Sequence, residues 1–77
     1  MKATVDTLIE LAARHFKVDA AKLRAEDDLF EALGANSFEA VELISELEDH
    51  FEIELPDYEL QGVKTFAALA AKIDKRR

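Results

Sequence analysis

The chain has 77 residues, 49% of them apolar, enough for one small core and near the lower size limit at which a single core sustains itself, so a single domain over 1–77 is expected. The absence of cysteine excludes disulfide staples and thiolate metal sites, and no apolar run is long enough for a signal peptide or a bilayer span, so cytoplasmic residence is the expectation. The formal net charge of −7 is unevenly placed, with 13 acidic residues and no Lys or Arg from Ala25 to Val63, which excludes a basic nucleic-acid footprint and favours basic protein partners.

Four amphipathic helices are predicted, without repeats or strand alternation. The first runs from about Thr4 to Phe16, where Val5, Leu8, Ile9, Ala12 and Phe16 make one apolar stripe. Thr4 is its expected N-cap. A long connection follows from Lys17 to Asn36, with a short helical turn expected around Ala20 to Leu23. Val18, Leu23, Leu29, Phe30 and Leu33 are the residues available to dock it, and Gly34 ends it with freedom for a positive φ.

The second helix is predicted from Ser37 to about Phe51. Asn36 and Glu39 have capping-box spacing. Leu43, Ile44, Leu47 and Phe51 span an arc of about 100° that should face the core. Glu39, Glu42, Glu46 and Asp49 occupy roughly 80° on the other side. Phe38, Val41, Ser45 and Glu48 lie between, where apolar groups beside carboxylates make a recognition edge. Pro56 breaks the chain, Asp57 is placed to cap a short third helix over Tyr58–Gln61, and Gly62 stops it. The fourth helix begins behind Thr65, with Phe66, Leu69, Ala70 and Ile73 on one stripe. The fold class predicted is all-α, a small four-helix bundle with a long first connection and a short third helix.

Ser37 stands where a tight turn becomes this acidic helix. A nucleophilic serine needs a base held within hydrogen-bond reach, normally a histidine. His50 lies 13 residues further along the same helix, about 20 Å away. No Gly-x-Ser-x-Gly elbow is present, so hydrolysis is not supported. The carboxylates show no calcium-loop spacing, so no structural metal site is expected. A helix N-terminus does favour an anion, and a phosphodiester on the Ser37 hydroxyl would lie beside its free N–H groups.

Gly34-Ala35-Asn36-Ser37-Phe38, then Val41-Glu42-Leu43, Leu47-Glu48-Asp49-His50-Phe51 and Glu54-Leu55-Pro56-Asp57 together resemble the acyl carrier protein family over essentially the full length. The resemblance implies a four-helix fold bearing 4′-phosphopantetheine on Ser37, installed from coenzyme A by a phosphopantetheinyl transferase. The arm's thiol would hold acyl groups as thioesters, so the protein would be a carrier and not an enzyme. Partners would be the transferase and acyl-transferring or acyl-activating enzymes with basic docking patches. They would meet Asn36, Phe38, Glu39, Val41, Glu42, Glu46, Glu48 and Asp49, and the carrier would be a monomer. An acyl chain sheltered in the bundle would be lined by Leu29, Phe30, Leu33, Leu43 and Leu47, and by Phe51, Leu55, Leu60, Val63 and Leu69. Leu60 and Leu69 are bulkier than the alanines common in the family, so a small pocket is expected, with cargo that is short, polar or left outside.

The chain departs from the family pattern at three positions on this face. Asn36 replaces the usual Asp, Phe38 the usual Leu, and Ser45 a frequent Met. Asn caps a helix as Asp does but brings no charge to a modifying enzyme. These departures point to a specialised carrier. Asn36 also supports a different reading, an unmodified acidic adaptor that binds proteins through the second helix.

Overall fold

The computed structural model describes residues 3–77. Five α-helices follow in chain order: α1 (Thr4–Phe16), α2 (Leu29–Leu33), α3 (Ser37–Phe51), α4 (Asp57–Leu60) and α5 (Phe66–Arg76). A 3₁₀ turn occupies Ala20–Lys22, near the turn expected there. The long helices are those whose apolar residues recur at three-four spacing. Leu8, Leu11 and Ala12 of α1, Leu43 and Leu47 of α3, and Phe66, Leu69 and Ile73 of α5 meet in one buried core. The α1–α5 pair packs most extensively. No described helix is long and apolar enough to cross a membrane.

The first connection departs from the sequence expectation, because α2 forms inside it. Asp28 explains why five residues suffice for a helix here. Its carboxylate accepts from the backbone N–H groups of Phe30 (2.9 Å) and Glu31 (3.1 Å), satisfying two donors that a helix start leaves open. Gly34 closes α2 at φ 64°, a left-handed conformation that suits glycine.

The connection is sewn to the start of α5 by its backbone. Leu29 N–H donates to the Lys64 carbonyl (2.7 Å), Ala67 N–H to Ala25 (2.7 Å) and Phe66 N–H to Asp27 (3.4 Å). Leu23 and Leu33 are buried beneath it. These bonds fix where α2, and with it the entry to α3, stands relative to α5.

Two cap assignments change. The N-cap of α1 is Ala3, and Thr4 is the first helical residue, its hydroxyl drawn into a tertiary contact. Thr4 Oγ1 donates to Asp74 and accepts from Arg77 Nη1 (2.8 Å), joining α1 to the end of α5. The α4 helix begins at Asp57 and ends at Leu60, one residue earlier at each end than expected, with Pro56 in the N-cap position. Proline suits that place because its missing N–H is not needed there. The Thr65 hydroxyl caps α5 by accepting from Ala68 N–H (3.1 Å).

Candidate functional site

The three residues Gly34, Ala35 and Asn36 turn the chain from α2 into α3. Asn36 is extended, at φ −93° and ψ 178°, and forms the predicted capping box. Its Oδ1 accepts from Glu39 N–H (2.8 Å), while Glu39 Oε1 accepts from Asn36 N–H (3.1 Å). The box holds the first turn in register and leaves Ser37 exposed as its opening residue. Among the described residues, no hydrogen bond uses the N–H groups of Ser37 and Phe38. The site therefore offers an accessible hydroxyl beside two free donors at the positive end of a 15-residue helix.

Ser37 also stands on an apolar groove of about 290 Å³. Ser37, Ala40, Val41 and Ile44 give it one wall, because spacings of three, four and seven bring residues to one helix face. The opposite sides come from Leu29 and Phe30 of α2, Leu60 of α4, Gln61 and Val63 beyond it, and Leu69 of α5. A void of about 30 Å³ lies behind it, reached by Leu33 and Leu43.

The ten residues expected from the family resemblance to line an acyl pocket thus separate. Leu29, Phe30, Leu60, Val63 and Leu69 line the groove. Leu33 and Leu43 lie at the inner void. Leu47 and Leu55 are buried in the core and line neither cavity. Phe51, at the far end of α3, lies under the Arg77 guanidinium at 5.3 Å from its ring centroid. Ala40, Ile44 and Gln61 were not among the expected lining residues. For Ala40 and Ile44 the signal was their spacing from Ser37, which places serine and groove wall on one stripe.

The acidic row along α3 is committed unequally. Glu39 belongs to the capping box. Glu46 Oε2 lies 2.9 Å from His15 Nδ1, near the end of α1, without hydrogen-bond geometry. Glu48 Oε2 accepts from Leu55 N–H at 2.7 Å, closing the turn that follows the helix. Glu42 and Asp49 are exposed and have no partner among the described residues. Phe38 is 74% exposed and Val41 60%, so both apolar groups face solvent beside the carboxylates.

The short α4 is held against α5 by Glu59, whose carboxylate lies 3.3 Å from Arg76 and 3.8 Å from Lys72. A hydrogen bond to Tyr58 chiefly, with Glu59 adding to it, raises the Arg76 pKa above the usual arginine value.

Neither histidine is shown in contact with Ser37. His15 is engaged with Glu46, and His50 lies at the other end of α3, about 20 Å from Ser37 along the axis. Among the described residues no group of three or more His, Asp or Glu is placed to hold a metal ion.

Comparison with known proteins places this geometry in context. The model of a family described as the phosphopantetheine attachment site matches residues 6–73. The acyl carrier protein of Campylobacter curvus is 33% identical, with 95% of each chain covered. That of Helicobacter hepaticus is 32% identical over 96% of this chain and 97% of its own. The acyl carrier protein of Campylobacter jejuni subsp. doylei is 42% identical over 71% of each chain.

Proposed function

We propose, since the chain belongs to the acyl carrier protein family, that the 4′-phosphopantetheine of this family is attached here through the Ser37 hydroxyl. The observation that carries this assignment is the coincidence of three features at one residue. Ser37 is exposed, it opens a capped helix with two free N–H donors, and it stands at the mouth of an apolar groove. A phosphodiester at Ser37 Oγ fits this environment, because its charge meets those donors and the helix dipole.

When bound, the group supplies a terminal thiol that holds an acyl chain as a thioester. What the chain itself does is present, orient and shelter. Ser37 Oγ forms its bond to phosphorus as the pyrophosphate P–O bond of coenzyme A breaks and adenosine bisphosphate leaves. The hydroxyl proton passes to a base of the phosphopantetheinyl transferase, since neither histidine of the carrier is placed to take it. Asn36 holds the turn open for that enzyme. The groove receives the apolar part of the cargo.

Residues 1–77 act in this reading as one carrier domain, a cytoplasmic monomer that visits several biosynthetic enzymes. Docking falls first to Glu42, Asp49, Phe38 and Val41, whose side chains are exposed and uncommitted. Glu39, Glu46 and Glu48 add negative field while holding the fold.

The test is intact mass after incubation with coenzyme A and a broad-specificity transferase, with Ser37→Ala as control. A phosphopantetheine adduct on the unaltered protein and none on the variant is expected. An unmodified protein would favour the adaptor reading, which Asn36 supports because its neutral amide, engaged with Glu39 N–H, brings the transferase no charge.

A further inference from the structure

We propose that Leu69 is the specificity-determining floor of the groove beside Ser37, and that it restricts sheltered cargo to short, unsubstituted acyl chains. The proposal rests on the carrier reading above.

Leu69 projects from α5 and is 1% exposed. It borders both the groove of about 290 Å³ and the void of about 30 Å³ behind it. Residues that face both spaces form the partition between them, and these are Leu29, Phe30, Ala40, Ile44 and Leu69. Their depths differ. Phe30 is 39% exposed and sits at the rim. Leu29 and Ile44 are half-buried, and Ala40 contributes only a methyl group. Leu69 is the one member of the partition that is buried throughout, so it is what a chain entering from the Ser37 side meets last.

Beyond Leu69 there is no room to continue. The inner void of about 30 Å³ is small beside the groove of about 290 Å³. Phe16, Leu33 and Leu43 close its far side. A longer chain would have to displace close-packed core, which a protein interior resists.

The lining also sets the chemistry of the cargo. The polar members of the groove wall, Ser37, Asp57 and Gln61, are all exposed and therefore lie at its mouth. The inner part is aliphatic. A polar group at the tail of the cargo would reach it without a hydrogen-bond partner, a costly arrangement. The span from Ser37 to Ile44 along α3 is about 10 Å, which gives the groove a short reach.

The experiment charges Ser37 with acyl-phosphopantetheine from acetyl-, butanoyl-, hexanoyl-, octanoyl- and dodecanoyl-coenzyme A. It then measures the rate of thioester cleavage by hydroxylamine and the backbone amide shifts of Ile44 and Leu69. Protection should grow about fourfold per buried methylene while the groove fills. It should then level off, with dodecanoyl no better protected than octanoyl. Leu69→Val and Leu69→Ala should move the plateau to longer chains, and the volume-conserving Leu69→Met should leave it in place. Continued gain from octanoyl to dodecanoyl on the unaltered protein overturns the proposal, as does a plateau unmoved by Leu69→Val. If Leu69→Ala does not fold, the valine variant and the unaltered profile decide. Absence of any adduct on the unaltered protein overturns the carrier reading and this proposal together, whereas an adduct with an unmoved plateau overturns the Leu69 assignment alone.

Discussion

The two halves of α3 share one helix and one sign of charge, yet their side chains are committed to different tasks. In the half that begins at Ser37, Phe38 and Val41 are exposed, Glu42 has no partner among the described residues, and Ala40 and Ile44 border the groove. In the half that ends at Phe51, Leu47 is wholly buried, Glu46 is paired with His15, and Glu48 holds the backbone of Leu55. The difference teaches that acidity along a helix is not one property. A carboxylate that accepts a buried N–H stabilises the fold, whereas one left in water is available to a partner.

Substitutions that cross this division should break it or sharpen it. Leu47→Ala should have the largest effect on stability, a loss of about 2–5 kcal/mol, because the side chain is fully buried and leaves a cavity. Denaturant unfolding would measure it, and a loss below that range would mean the second half is less committed than its burial indicates. Glu48→Ala comes next, with about 1–3 kcal/mol lost, since Leu55 N–H is left without its acceptor. Glu48→Gln keeps an acceptor oxygen and should recover part of the loss.

At the other end of the helix, Asn36→Ala should cost about 1 kcal/mol through the lost cap. Asn36→Asp should retain the cap and speed modification by a generic transferase, measured as initial rate. Equal rates for the two forms would remove charge from the account of recognition. Glu42→Lys should have the smallest effect on stability, within about 0.5 kcal/mol, because no described residue pairs with that carboxylate. It should nonetheless weaken binding to a basic partner and flatten the salt dependence of that binding, as titration at two ionic strengths would show. A stability loss as large as that of Glu48→Ala would erase the contrast between the halves.

The elements legible in the sequence were those whose cause is local. Helix α3 announced itself through Asn36 and Glu39 at capping-box spacing and through Leu43, Leu47 and Phe51 on one stripe, and Thr65 announced α5 in the same way. Helix α2 is not legible in the sequence, because five residues are too few for a helical period to emerge. Its signal was Asp28, placed to receive two N–H groups. Thr4 reads as a cap in the sequence because its partners, Asp74 and Arg77, lie about seventy positions away and are brought near only by folding. The same limit hid the commitment of Glu46 and Glu48, since a carboxylate's partner is a property of the tertiary structure. The groove was half legible. Its α3 wall follows from spacing, but its division from the inner void depends on how α5 presents Leu69 to α2 and α3.

The contacts of Arg77 have a consequence for how the molecule can be tethered. Arg77 reaches both Thr4, at 2.8 Å, and the ring of Phe51, at 5.3 Å. The start of α1, the end of α5 and the end of α3 therefore gather at one pole. Ser37 begins α3 at the opposite pole, about 20 Å along the axis. A surface, a tag or a neighbouring polypeptide joined at either side of this pole would hold the bundle like a handle. The serine would then stand at the end of α3 remote from the attachment, exposed.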